Sequence, residues 1–119
     1  MSEKNDKELI EDLQMNIESI DNEMEDLNRV LCEIERLEDE LTDYQRQNSR
    51  DVENVYNFWH GPEARQYVDK MLDYSDNSAS ELRYKASNIY DEIKNDLSRL
   101  ERKREGLKDE ISRVERTHN

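Results

Sequence analysis

Apolar residues recur through the first half of the chain at Ile10, Leu13, Ile17, Ile20, Met24, Leu27, Leu31 and Ile34. This unbroken alternation of steps of three and four is the seam of a coiled-coil helix. Leu37, Leu41 and Tyr44 extend the series after a change of phase, Asn48 is a polar exception, and Val52, Val55 and Trp59 finish it. The shift near Ile34–Leu37 is compensated by two steps of four around Asn48. Local over- and under-winding is expected there. Asn5 followed by Glu8 reads as a capping box, so the pattern predicts a first helix over about 6–58.

The second half repeats the pattern at Ala64, Val68, Met71, Ser75, Ala79, Leu82, Ala86, Ile89, Ile93, Leu97, Leu100, Arg104, Leu107, Ile111 and Val114. Between the two halves lies Phe58-Trp59-His60-Gly61-Pro62, which holds the only Phe, Trp and Pro of the chain and one of its two glycines. Gly61 can adopt a backbone angle that a Cβ disfavours, and Pro62 suits the first position of a new helix but not the interior of one. The expected fold is all-α: a long antiparallel helical hairpin, with a turn at 59–61 and a second helix over about 62–116. Residues 1–119 then form a single domain. Folding about residue 60 pairs positions whose numbers sum to about 120, placing Leu41 opposite Ala79 and Ile34 opposite Ala86. Large against small near the turn allows a close approach. At 1.5 Å per residue, arms of some fifty residues are on the order of 75–80 Å long. Each helix buries only a stripe, so a partner or a second copy is expected to complete a four-helix bundle.

Charge supports the same register. Residues 1–45 hold sixteen acids against Lys4, Lys7, Arg29 and Arg36, whereas residues 94–119 hold eight bases against six acids. Antiparallel folding lays one segment beside the other. Exposed pairs contribute about 0–1 kcal/mol each, so charge selects register more than it stabilises. The composition, 33% hydrophobic and 41% charged, fits either a disordered chain or a helical rod, and the clear periodicity with one Pro and two Gly decides for the rod. A net charge of −13 argues against nucleic acid and against an anionic membrane surface. No apolar run approaches the roughly 20 residues that span a bilayer. Cys32 stands alone, which fits a reducing cytoplasm. Met1-Ser2-Glu3-Lys4-Asn5 lacks the apolar segment of a cleaved signal, so any export is expected to bypass the general secretory route.

Signals for catalysis are sparse. The histidines are His60 in the turn and His118 in the tail. A bundle-type di-metal site needs two inward Glu-x-x-His pairs, and only Glu115–His118 has that spacing. Cys32 has no neighbouring base. There is neither a glycine-rich phosphate loop nor an EF-hand spacing. No enzymatic activity, cofactor or metal is expected. The aromatic residues say more. Tyr67 and Tyr74, seven apart, lie just off the second seam, with Tyr56 and Phe58 near them across the turn. They either widen the core or make a second apolar strip for a partner helix, which Tyr84 and Tyr90 would extend.

Trp59-His60-Gly61 between two long helices, followed by Ala64 and Tyr67, resembles the turn of the Trp-x-Gly (WXG, ESX-like) family of helical hairpins. That family is exported by the type VII secretion machinery of Gram-positive and mycobacterial cells. The resemblance implies antiparallel four-helix dimers with a like chain or a paralogue, and a turn in which Trp59 and Gly61 help present a bipartite export signal. The signal's other half is a tail motif, Tyr-x-x-x-Asp/Glu. Here Tyr67, Tyr74, Tyr84 and Tyr90 are followed four residues on by Met71, Ser78, Asn88 and Lys94. That departure, together with arms longer than usual, fits hairpins that act as targeting partners for the helical N-terminal domain of a larger LXG-type toxin.

The resemblance implies a protein made in the cytoplasm that is either a secreted substrate or a targeting adaptor and chaperone. Its partner would be helical: a second copy, a paralogous hairpin or a toxin domain. Trp59 and Gly61 would carry the turn and export motif, and Tyr56, Phe58, Tyr67 and Tyr74 the partner contact. The alternative is a structural coiled-coil scaffold subunit with no export role, in which Trp59 only staples the turn.

Overall fold

The computed structural model describes the backbone of residues 3–118 and the side chains of residues 5–117. Helix α1 spans Glu3–Glu53, a 3-10 turn follows at Asn54–Asn57, and helix α2 spans Pro62–His118. The architecture is the all-α helical hairpin that the periodicity predicts. The helix limits differ in detail. α1 begins at Glu3, so Asn5 lies inside the helix instead of capping it. Its α-helical geometry stops at Glu53, and the residues up to Asn57 tighten into a 3-10 turn, a common way to close a helix end.

Two compact units make up the chain: Met1–Leu31 with Asp91–Asn119, and Cys32–Tyr90. In the first unit the seam is apolar and matches the sequence pattern. Leu13, Ile20, Leu31 and Ile93 are buried. Ile17, Met24, Leu27, Leu97, Leu100 and Leu107 are half-buried beside them. Arg104 takes its expected seam position by laying its stem along the interface and directing Nη1 to Asp21 Oδ1 at 3.1 Å. Its Nε is buried without a hydrogen bond, a cost that the partly exposed ion pair offsets only in part.

The second unit departs from the pattern. Leu37 (54% exposed), Tyr44 (64%), Leu82 (55%) and Ile89 (49%) were expected at the seam but stand outside it, with Met71 at its margin. In each case the residue immediately following takes the inward side: Glu38 and Gln45 on α1, Leu72, Arg83 and Tyr90 on α2. All of these are half-buried except Glu38, which keeps the phase but stays exposed. The remaining interface is small and polar, with Thr42, Asn48, Ser75, Ala79 and Ala86 among its members. Polar side chains bridge it: Arg83 donates to Thr42 Oγ1 at 3.0 Å, Gln45 to Asp76 at 3.4 Å, and Tyr90 to Glu35 at 3.5 Å.

The cause is helix continuity. Counted on from Ile34, the positions Glu38, Leu41, Gln45, Asn48, Val52 and Val55 keep the alternation of four and three without interruption. The change of phase expected near Ile34–Leu37 does not occur. Burying Leu37 in place of Glu38 would rotate the helix by about 100° at that point, which an unbroken α-helix does not allow. The register is also displaced. The cross-helix pairs Asp21–Arg104, Glu35–Tyr90, Thr42–Arg83 and Gln45–Asp76 have numbers summing to 125, 125, 125 and 121, not 120.

Ile89 and Ile93 thus lie one helical turn apart on α2 with opposite fates. Ile93→Ala is expected to cost about 2–4 kcal/mol, and Ile89→Ala under about 0.5 kcal/mol, in urea unfolding of the dilute chain followed by circular dichroism. Equal losses would contradict the inward and outward assignment.

Candidate partner-docking site

The turn is built from a few short-range interactions. The Phe58 and Trp59 N–H groups both donate to the Val55 carbonyl, at 3.0 and 2.9 Å, which closes the end of the first arm. Gly61 has φ +112° and is the only one of the described residues with positive φ. Its carbonyl accepts the Arg65 N–H at 3.1 Å, so Gly61 is the N-cap of α2 with Pro62 in the first helical position. Glu63 lies in the first turn, beside the positive end of the helix dipole. Behind the turn a small core forms from Val52, Ala64 and Val68, all buried. Trp59, 41% exposed, leans on Tyr67 with ring centroids 5.8 Å apart and planes tilted by 53°. Such a tilted pair adds about 0.5–1.5 kcal/mol beyond the area it buries.

Of the residues expected to meet a partner, the structure gathers most at the turn. Phe58 is almost wholly exposed. Tyr56 is half-buried and, with Gly61, Pro62 and Arg65, lines a hollow of about 470 Å³. Tyr67 remains about half exposed beneath Trp59. Tyr74 lies farther along α2 and belongs to a different feature.

That feature is an apolar groove along one side of the second unit. One stretch, about 440 Å³, is walled by Ile34, Leu37 and Leu41 of α1 and by Leu82, Ala86 and Ile89 of α2. A further stretch, about 160 Å³, shares Leu41 and Leu82 and adds Tyr44, Met71, Tyr74 and Ala79. The large side chains displaced from the seam are the ones that form these walls. Tyr84 and Tyr90, expected to extend the strip, do not line it. Leu37, Leu82 and Ile89 were missed as docking residues because they were assigned to the seam. Strict continuation of the heptad phase from Ile34 would have found Leu37.

Other chemistry is thin. Among the described residues no group of three or more His, Cys, Asp or Glu side chains is placed to hold a metal ion. Cys32 and His60 are exposed, and the His118 side chain lies outside the described residues. No described helix is long and apolar enough to cross a membrane. No family model, curated protein or solved structure matches the chain.

At Gly61 a Cβ would meet nothing within 4 Å, so any loss on substitution comes from the backbone angle alone. Gly61→Val should destabilise by about 1–2 kcal/mol through the strained φ. Gly106→Ala, in open space within α2, should stabilise by roughly 0.5–1 kcal/mol. Thermal melts of both variants test this, and a neutral Gly61→Val would remove the turn from its assigned role.

Proposed function

We propose that this chain is a WXG-like helical hairpin of a type VII secretion system. It acts as a small secreted substrate or as a targeting adaptor that holds the helical domain of a larger secreted toxin. The observation that carries the reading is the outward groove of Leu37, Tyr44, Leu82 and Ile89. A second unit that fills much of its own interface with Ser, Thr, Ala and Gln, and leaves Leu37 and Leu82 outside, gains apolar burial when another helix covers it. This is the helix-in-groove mode of recognition, where affinity comes from covering apolar surface and specificity from the polar rim. The Trp-x-Gly turn supplies the second support. Trp59 is held by Tyr67 yet keeps two-fifths of its surface in solvent, so it can be read by another protein without unfolding the turn.

The two features have separable consequences. Trp59 belongs to recognition by the export machine, and the groove to capture of cargo. In cells carrying a type VII machine, the wild-type chain should appear in the culture supernatant alone or with its toxin. Trp59→Ala should cut that amount at least tenfold while leaving the intracellular level unchanged. Machine-independent retention of the wild type, with or without co-expressed toxin, would sink the export reading and favour the scaffold alternative.

A further inference from the structure

We propose that Asp21 and Arg104 form a register lock in the first unit: a charged pair set into an apolar seam, which admits one alignment of the two helices and disfavours the neighbouring ones. The lock is independent of the groove and of any export role. Arg104 stands between Leu100 and Leu107 in a series that otherwise runs through Ile and Leu from Ile93 to Ile111. Its side chain is 29% exposed, its Nε is buried with no hydrogen-bond partner, and its Nη1 reaches Asp21 Oδ1 at 3.1 Å. A leucine at this position would complete the seam with no polar group to desolvate. By stability alone the arginine is a poor choice, because the attraction within a partly buried ion pair seldom exceeds the desolvation it requires.

What the pair supplies is a distinction that the apolar residues cannot make. Both helices repeat their apolar positions every seven residues, as in Ile10, Ile17, Met24 and Leu31 on α1 and Ile93, Leu100, Leu107 and Val114 on α2. Sliding one helix past the other by a heptad, roughly 10 Å, therefore lays apolar residues against apolar residues again. The difference falls on one place. In the observed register Asp21 and Arg104 have numbers summing to 125. A slide of seven in either direction brings Arg104 opposite Gln14 or Asn28, and Asp21 opposite Leu97 or Ile111. The guanidinium then faces a neutral amide, and the nearest acids, Glu11, Glu18 and Glu25, lie about a helical turn from the facing position. A charge-assisted hydrogen bond is lost while the Arg104 stem stays in the seam, so the slid registers are disfavoured. A single polar side chain at a core position of a coiled coil fixes register in this way at a cost in stability. The pairs Arg29–Glu25, Arg29–Asp26, Arg99–Asp96 and Lys108–Glu105 each join residues of one helix and move with it, so they do not distinguish registers. Slack for a slide exists in residues 32–90, whose interface is small and polar and opens more readily than an apolar seam.

Spin-label distances within the full chain, combined with thermal melts, test the lock. In a Cys32→Ser background, labels at Asp12→Cys and Ser98→Cys occupy exposed positions on the two helices. Their backbones are about 25 Å apart in the observed register and about 15 or 35 Å apart after a slide. The labelled parent is expected to give one distance near the middle value. Arg104→Leu should melt at the parent's temperature or up to about 8 °C above it, yet add a resolved second population at the shorter or longer distance. Asp21→Asn gives the native register the same neutral facing group as the slid ones, so it should melt lower and add the same second population. Arg104→Lys, which keeps the charge, should retain the single distance. A single distance in either Arg104→Leu or Asp21→Asn, a mixed one in Arg104→Lys, or a lower melting temperature for Arg104→Leu each overturns the proposal.

Discussion

An α-helix without a break cannot change its phase, and the rest of this structure depends on that constraint. The apolar seam of the first unit is strong. On α1 it runs from Ile10 to Leu31 and on α2 from Ile93 to Val114. Within the second unit each helix is uninterrupted, so the side chains that face inward there are dictated by counting from Ile34 on α1 and from Ala64 on α2. The count falls on Gln45, Asn48, Ser75, Arg83 and Ala86. Tyr44, Tyr74 and Leu82, which precede Gln45, Ser75 and Arg83, are turned outward, so the groove is a consequence of helical geometry acting on this order of residues.

The energetics of the two units differ accordingly. Burying a Leu or Ile side chain contributes about 1.5–3 kcal/mol, which the first unit collects in full at Leu13, Ile20, Leu31 and Ile93 and in part at its half-buried apolar seam positions. The second unit collects it fully only at Ile34, Val52 and Val68, the remainder being alanine, polar bridges and half-buried groups. The hydrogen bond from the charged Arg83 guanidinium to Thr42 is only partly buried, so water competes for the same groups and reduces its net contribution. A segment with few buried apolar contacts opens more readily, and binding surfaces are commonly drawn from such segments. Covering the groove would return the missing burial. Under the proposed recognition of a helical partner, binding and folding of that unit are one free-energy balance.

Much of this was legible in the residues. The hairpin, the position of its turn, the cap role of Gly61 and the seam of the first unit all follow from periodicity and two special residues. The groove did not. A pattern search prefers to bury the larger of two adjacent residues, so Leu37 was taken over Glu38, Leu82 over Arg83 and Ile89 over Tyr90. Phase continuity decided the other way. The register was off by as much as five in the pair sum because the 3-10 turn lengthens the connection, which no apolar pattern reports. Tyr56, Phe58 and Tyr67 lie near the turn as expected, Tyr67 against Trp59 and Phe58 exposed. Tyr74 proved to be part of the groove.

Native-state hydrogen exchange reads the central claim most directly, since it reports the stability of each stretch of helix in one experiment. The outward turn of the large residues predicts strong protection over residues 10–31 and 93–114, and markedly faster exchange over 36–50 and 70–90 in the dilute chain. Slow exchange of equal degree along both helices would contradict it, because it would mean that the second unit is as well packed as the first and has no face left to cover.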